Sequence, residues 1–325
     1  MEKLAHLTAC LIRDLKNGFP QIDFSYAKSL VSVMREVFAQ TGRSFVILID
    51  EWDCLFREYE SNKEAQKQYL DFLRVWLKDK EYVGLAYMTG ILPIKKYGSH
   101  SALNMFTEYS MTNPREMAGY FGFTEDEVKK LCEIYQRSFD ETQAWYDGYD
   151  LVMFDGTVQK TYAMYSPKSV VEAMLSGVYD NYWNQTESYE ALKVYIQMNY
   201  DGLKEAIVRM LAGDRVQINT GTFSNDMTTF ETKDDVLTLL VHLGYLSYHW
   251  PDKTVTIPNK EVSQEYVKAI IELKWDKSAE GAIAQIKEKN YPEALEDYHG
   301  NLLLAGINYD KKNRKHTCKI EKLSV

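Results

Sequence analysis

The chain has 325 residues, of which 45% are hydrophobic and 26% are charged, and its formal net charge at pH 7 is −9. This length suits two or three domains, and the composition excludes a disordered, fibrous or low-complexity protein. The acidic balance also argues against a protein that coats nucleic acid along its whole length.

The location of the protein is constrained by its apolar runs and its cysteines. No apolar run reaches the length of about 18 residues that a membrane helix needs, and charges recur through the N-terminus, so we expect neither a membrane span nor a signal peptide. Cys10, Cys54, Cys132 and Cys318 form no CxxC pair and have no metal-ligand spacing. We therefore expect a cytoplasmic protein with reduced cysteines in its core.

The first part of the chain has the pattern of an α/β core. Apolar residues at helical spacing predict two amphipathic helices on either side of a break at Gly18–Pro20. Phe45–Ile49 is a continuous apolar run, which predicts a strand buried on both faces of a parallel sheet. A helix over Ala65–Lys78 and a second buried strand over Tyr82–Thr89 follow. Strand, helix and strand together predict a βαβ unit.

Beyond Pro114 the pattern is mainly helical to about residue 212. Thr124 and Glu127 form a capping-box motif at the start of one helix, and Ser166-Pro167 has the form of a helix N-cap and first turn. The aromatic stretch Trp145–Tyr149 interrupts the helices, and we interpret it as a packing cluster rather than an adenine contact.

The last third of the chain contains a different pattern. Residues 233–261 have the form of a helix followed by a two-stranded hairpin, which suggests a winged-helix-like unit that packs on the core more readily than it binds DNA. A helix over Glu261–Ala269, a short strand over Ile270–Trp275, another helix and the strand Leu302–Asp310 follow. The final 15 residues are basic, with six Lys and Arg against one Glu.

Two carboxylates follow the first predicted strand. Asp50 and Glu51 lie at its carboxyl end, where open α/β sheets bind their ligands. In phosphate-hydrolysing enzymes such an Asp holds Mg²⁺ and such a Glu polarises water, while Thr89 ends the neighbouring strand where a polar sensor would lie. The alternative is a strand that leaves the core through two acids and a threonine that caps a turn. A phosphate-binding GxxxxGK[ST] loop is absent from the sequence, because none of its 17 glycines precedes a lysine.

A second candidate site is Glu272-Leu273-Lys274. On a strand this spacing places the carboxylate and the ammonium on the same face, as in metal-dependent nucleases. The alternative is an exposed strand with alternating charge, and no acid lies on a preceding strand to complete a metal site.

Several long stretches of the sequence resemble the AAA-ATPase-like proteins common in bacteria, which pair a divergent P-loop ATPase module with a C-terminal nuclease of the PD-(D/E)XK type. The matching stretches are IDEWDCLFRE (49–58), LAYMTGILPIKKYG (85–98), SALNMFTEYSM (101–111), YFGFTEDEV (120–128), WYDGY (145–149), DDVLTLLVHLGYL (234–246), IPNKEV (257–262), IELKWDKSAEGAIAQIKEKNY (271–291) and LLLAGINYD (302–310).

The resemblance implies roles for the candidate residues. Asp50 and Glu51 would be the Walker B acids and Thr89 the sensor 1 residue, with Mg²⁺ and ATP as the expected cofactors and Asp50 as a metal ligand. In the nuclease part, Glu272 would bind metal, and Lys274 and Gln285 would belong to the nuclease motif and its following helix. The family's phosphate-binding loop, of the form RRFGKT, would precede residue 1, and the first nuclease strand with its metal-binding Asp is missing near residue 270.

The expected fold is therefore α/β: an incomplete P-loop NTPase sheet of the AAA-like class, a helical lid, a winged-helix-like unit and a restriction-nuclease-like remnant. We assign these parts to residues 1–112, 113–212, 213–262 and 263–325. We expect an AAA-ATPase-like protein that is inactive alone as ATPase and nuclease and that acts through protein or DNA contacts. The alternatives are a fragment of an active ATPase–nuclease and, less favoured, a metal-dependent nuclease. DNA would bind through the winged helix or the basic C-terminus. The open sheet edge would be covered by the two N-terminal helices or by another chain, either a protein partner or a further copy.

Overall fold

A computed structural model describes residues 2–59, 61–93, 104–155, 158–183, 195–196, 200, 202–223, 230–272, 302–310 and 315–323. The chain divides into two compact units, of which the first is built on residues up to Glu108 and the second begins at Tyr109. The assignment of four domains remains a prediction.

The first unit contains the predicted βαβ arrangement. Strands β1 and β2 pair in parallel, with Ile47 opposite Ala86 and Ile49 opposite Met88, and the helix between them buries Leu73 and Trp76. The prediction of a parallel α/β element is therefore confirmed. The elements are α1 (Glu2–Gly18), α2 (Leu30–Thr41), β1 (Phe45–Ile49), α3 (Cys54–Glu58), α4 (Lys63–Leu77) and β2 (Val83–Met88).

One face of this two-stranded sheet is open, so the prediction of strands buried on both faces is wrong. Ile47 is only 8% exposed, whereas its neighbours Val46 and Leu48 are 66% and 72% exposed. Leu85 and Tyr87, their partners on β2, are 53% and 45% exposed. Side chains alternate between the faces of a strand, and only one face of this pair is covered, so the apolar run does not give burial on both sides.

The second unit begins with a three-stranded antiparallel sheet in the order β3-β5-β4. A predominantly helical lid is therefore a wrong expectation for Tyr149–Tyr165, which forms two paired strands. In β4, Tyr149 and Leu151 are buried while Asp150 is exposed, which is the alternation of a half-buried strand. The elements are a 3-10 helix (Arg115–Tyr120), β3 (Phe123–Thr124), α5 (Glu125–Tyr135), α6 (Phe139–Tyr146), β4 (Tyr149–Asp155), β5 (Val158–Tyr165) and α7 (Pro167–Ser176).

The predicted helix starts in this region are confirmed. Thr124 and Glu127 make both hydrogen bonds of a capping box at the start of α5, and Pro167 occupies the first turn of α7 after Ser166. Tyr146 and Cys132 lie in the hydrophobic core that α5, α6 and α7 enclose. The aromatic stretch therefore contributes to packing, and Cys132 is a core residue.

The predicted helix and hairpin of the last third are also present. Ser247 pairs with Thr256 and His249 with Thr254 in the hairpin, and a short strand adds to its edge. All seven residues from Asp235 to Val241 on the helix before the hairpin are buried, so this helix has little open surface with which to enter a DNA groove. The elements are α8 (Leu203–Leu211), β6 (Val216–Gln217), α9 (Lys233–His242), β7 (Ser247–His249), β8 (Thr254–Thr256) and α10 (Lys260–Glu272).

The C-terminal region departs from one prediction and confirms another. Helix α10 continues to Glu272, so a strand beginning at Ile270 is wrong. Val262, Tyr266 and Ile270 repeat every four residues and extend the helical pattern. The predicted strand Leu302–Asp310 is β9, which pairs with β10 (Lys315–Leu323) within the basic tail. None of the helices in the described ranges is long and apolar enough to cross a membrane.

A buried carboxylate at the start of α10 binds α7 and the segment that follows α7. Glu261 is fully buried, and its Oε1 accepts hydrogen bonds from the Ser169 hydroxyl at 3.0 Å and from the backbone amides of Tyr182 and Trp183 at 2.7 and 2.8 Å. Burial raises the pKa of Glu261 and the charge of Glu265 raises it further, whereas the hydrogen bonds lower it. Burial is the largest of these effects, so ionisation of Glu261 is harder in the folded chain than in the unfolded one.

We expect the Glu261→Gln variant to lose part of the pH dependence of stability. Because the folded pKa lies above the ordinary value of 4.5, the folded state binds more protons than the unfolded state just above pH 4.5. The free energy of unfolding then falls as the pH rises through the folded pKa. Urea unfolding of both proteins between pH 4.5 and 8 should show a steeper fall for the wild type, and Glu133→Gln on the exposed side of α5 is the control. Parallel curves would contradict the expectation.

Candidate functional site

Asp50 and Thr89 lie at the carboxyl ends of the two parallel strands. The backbone ladder continues past the strands, because the Thr89 amide donates to the Ile49 carbonyl at 2.9 Å and the Trp52 amide donates to the Thr89 carbonyl at 2.9 Å. The Thr89 hydroxyl donates a hydrogen bond to Oδ1 of Asp50. The structure therefore brings together two of the residues that the sequence singles out, one from each strand.

Glu51 occupies the turn that follows Asp50. Its φ of +50° lies in the left-handed region, which is uncommon for a residue with a side chain. Its carboxylate forms an ion pair with Arg57 on α3, with Nη2 3.2 Å from Oε2, and its side chain is 69% exposed. Because the Glu51 side chain is mostly exposed, its ion pair adds little stability. For the same reason the carboxylate is accessible to solvent and to ligands.

Asp53 is a site residue that the sequence analysis did not single out. Its side chain is fully buried, and Oδ2 accepts hydrogen bonds from the backbone amides of Ile91 at 3.1 Å and Leu92 at 2.7 Å. Arg57 Nε lies 3.4 Å from the same oxygen. Asp53 thus connects the turn after β1 to the loop after β2, and Arg57 contacts both Asp53 and Glu51.

Gly90 permits this close approach of the two loops. A Cβ at this position would lie 2.6 Å from Cδ1 of Trp52 and 2.7 Å from Oδ1 of Asp53. The residue directly after Thr89 must therefore lack a side chain. The i, i+4 spacing of Asp53 and Arg57 on a short helix was a signal for their contact, but nothing local in the sequence indicates the loop amides that Asp53 binds.

Cys54 is the nucleophilic side chain nearest to these acids in sequence. Burial raises the pKa of its thiol, and the charge of Glu58 adds to the effect. A thiol with a raised pKa is protonated at neutral pH and is a poor nucleophile. The chemistry of this site therefore rests on its carboxylates and on the Thr89 hydroxyl.

These oxygens fit one part of a magnesium–nucleotide site. Mg²⁺ is usually held by one or two carboxylates together with substrate phosphates and water, and Asp50 with Thr89 could supply two such oxygens. No group of three or more His, Cys, Asp or Glu side chains in the described part of the chain could hold a metal by itself. Arg57, the cation paired with the acids of this site, is already bound to Glu51 and Asp53.

The candidate nuclease residues are not assembled into a site within the described residues. Glu272 is the last residue of helix α10 rather than part of a strand, so the same-face argument for Glu272 and Lys274 does not apply. Lys274 and Gln285 lie outside the described residues. Their roles remain predictions.

Comparison with known proteins bears on the first unit alone. No curated protein and no solved structure matches the chain significantly. Residues 2–99 match the model of the AAA-ATPase-like family, described as a predicted AAA-ATPase. This range includes Asp50, Glu51, Asp53 and Thr89, and the match supports an AAA-ATPase-like family for this part of the chain.

Proposed function

We propose that residues 2–99 form the acid-bearing part of an AAA-ATPase-like nucleotide site, and that the chain alone does not hydrolyse ATP and acts through its contacts with other molecules. The hydrogen bond between Thr89 and Asp50 carries the proposal. It places a hydroxyl and a carboxylate from neighbouring strands at the edge where parallel sheets bind ligands. In this proposal Asp50 binds Mg²⁺, Glu51 is the Walker B glutamate and Thr89 is sensor 1.

The proposed lack of ATP hydrolysis follows from the negative charge of the site and of the triphosphate. Bound Mg²⁺ would neutralise charge on the phosphates, but the triphosphate also needs backbone amides and a lysine around its β- and γ-phosphates. The sequence has no Gly-Lys pair from which to build the usual loop. Without that loop, the negative charges of Asp50 and Glu51 repel the phosphates. Arg57 does not offset this repulsion, because it is already paired with Glu51 and Asp53.

The open face of the sheet supports the second half of the proposal. Val46, Leu48, Leu85 and Tyr87 form a contiguous apolar surface that is about half to three-quarters exposed. Exposed apolar patches of this kind are typical of interaction sites. A protein partner or a second copy of the chain would cover this face, and contacts with DNA would use the basic tail rather than the buried helix α9.

The purified 325-residue chain should show no Mg²⁺-dependent ATP hydrolysis above background, and Glu51→Gln should not change that result. The measurement is phosphate release with 1 mM ATP, about the upper end of common substrate constants, with and without Mg²⁺. Glu58→Gln, an exposed glutamate on α3, is the matched control.

Hydrolysis that requires Mg²⁺ and disappears in Glu51→Gln but not in Glu58→Gln would overturn the proposed inactivity. It would favour the alternative, a piece of an active ATP-hydrolysing ATPase–nuclease. The ordered contact of Asp50 with Thr89 is the observation that keeps this alternative open. The third possibility, a nuclease built on Glu272 and Lys274, has no supporting contact among the described residues.

A further inference from the structure

The second unit contains a cleft that plays no part in the site described above. Its volume is about 230 Å³. One wall is the outward face of β4, with Asp150, Val152 and Phe154, and the other is formed by Tyr248 and Trp250 at the hairpin. The loop from Met111 to Arg115 also lines the cleft. Small-molecule sites are typically concave and mainly apolar, with a few polar groups that fix orientation, and this cleft has that composition.

Two aromatic rings lie against each other in this cleft. Phe154 and Trp250 stack with their centroids 6.0 Å apart and an angle of 27° between the ring planes. They are nevertheless 53% and 48% exposed. Large aromatic side chains gain most when both faces are covered, so this pair offers open ring surface to a flat ligand.

Two oppositely charged side chains line the same cleft. Arg115 and Asp150 both line the cleft, and the Asp150 side chain is 50% exposed, with His249 Nδ1 at 3.8 Å, beyond hydrogen-bond distance. Arg115 has a φ of +46°. Such strained backbone positions are concentrated at functional sites, and this one lines the cleft.

The charges select the class of ligand. A cation would bind Asp150 and the ring faces but would be repelled by Arg115. An anion would bind Arg115 but would be repelled by Asp150. A neutral, flat ring that carries both hydrogen-bond donors and acceptors satisfies the carboxylate, the guanidinium and the aromatic pair together.

We propose that this cleft binds a nucleobase, which stacks on an open face of the Phe154–Trp250 pair and hydrogen-bonds to Asp150 and Arg115. Stacking of a base on an aromatic side chain tolerates many sequences, and hydrogen bonds to the base edge add selectivity. The base comes either from a free nucleoside or from a single-stranded nucleic acid. The proposal goes beyond the nucleotide site of the first unit, because every cleft residue belongs to the second unit.

The test uses the full chain in EDTA, so that Mg²⁺-dependent binding at Asp50 does not contribute. Adenosine, guanosine, cytidine and uridine form one arm of a calorimetric and tryptophan-fluorescence titration. A mixed-sequence single-stranded DNA of 12 nucleotides forms the other. We expect saturable binding in at least one arm, weakened about tenfold by Trp250→Ala, whereas Tyr120→Ala, which removes an aromatic ring that is 78% exposed outside the cleft, leaves it unchanged.

The arms identify the source of the base. Tighter binding of the DNA than of any nucleoside, weakened by salt, identifies a single strand, and equal or tighter binding of a nucleoside identifies a free ligand. Asp150→Asn should change the order of preference among the four nucleosides, because it adds a donor where the wild type has only acceptors. Absence of saturable binding in both arms, or binding that Trp250→Ala leaves unchanged with circular dichroism intact, overturns the proposal.

Discussion

Replacing Asp53 with alanine is expected to lower the free energy of unfolding of the first unit by about 3 kcal/mol, since removing one member of a buried ion pair costs roughly 3–5 kcal/mol. The carboxylate is fully buried and accepts two backbone hydrogen bonds from Ile91 and Leu92. Without it these amides lose their acceptor, and among the described residues the ionic partner that Arg57 keeps is the exposed Glu51.

The measurement is hydrogen exchange resolved by peptide, because it separates the first unit from the second. In Asp53→Ala the amides of Ile91 and Leu92 should lose protection first, followed by strands β1 and β2. Asp71→Ala is the matched control, since it removes an exposed acid paired with Arg74 at 2.8 Å in the same unit. Exposed pairs of this kind contribute about 0–1 kcal/mol. Equal protection in the two variants would show that Asp53 does not hold the loop.

The position of the candidate site could be predicted from a general rule, but the contacts that hold its two loops together could not. Asp50 and Thr89 could be placed together because parallel strands end at the same edge of a sheet, and the structure has them in contact. The role of Asp53 depends on where the loop after β2 returns, and no pattern in the sequence encodes that path. The same holds for Gly90, whose lack of a side chain matters only because Trp52 and Asp53 lie against it.

The period and the length of an apolar pattern explain where most of the other predictions from the sequence agree with the structure and where they fail. Helices with long amphipathic patterns, such as α4 and α5, were predictable from the sequence. Short apolar runs are ambiguous between helix and strand, and Ile270–Glu272 continues a helix where a strand was expected. Burial was the least predictable property: Val46 and Leu48 lie in a continuous apolar run but are exposed, because burial depends on what covers the sheet and not on the strand itself.

The Gly148→Ala variant should destabilise the second unit by more than about 3 kcal/mol, which is a larger loss than most single substitutions cause. The reason is a steric clash with the backbone. Gly148 has a φ of +136°, and a Cβ there would lie 1.7 Å from the carbonyl oxygen of Pro258. Such a separation is far inside van der Waals contact, and the atoms that the Cβ would meet belong to the backbone of Pro258, which cannot rotate away as a side chain could. One of the two chain segments would therefore have to move.

That movement would reach the start of α10. Asn259, next to Pro258, donates to the Tyr146 carbonyl at 3.3 Å, and its side chain accepts a hydrogen bond from the Val262 amide at 3.0 Å. Pushing Pro258 away from Gly148 stretches the first of these bonds and disturbs the N-terminal cap of the helix. The cost therefore combines steric displacement, lost hydrogen bonds and an unfavourable backbone conformation.

Gly213→Ala separates these contributions. Gly213 also has a positive φ, +99°, but a Cβ there meets nothing within 4 Å, so this variant reports backbone strain alone, of about 1–3 kcal/mol. Urea unfolding followed by near-ultraviolet circular dichroism should show a clearly larger loss for Gly148→Ala than for Gly213→Ala. Equal losses would mean that the contact with Pro258 relaxes at no cost. A larger loss would show that the glycine of the WYDGY motif is required because the backbone before α10 lies directly against it.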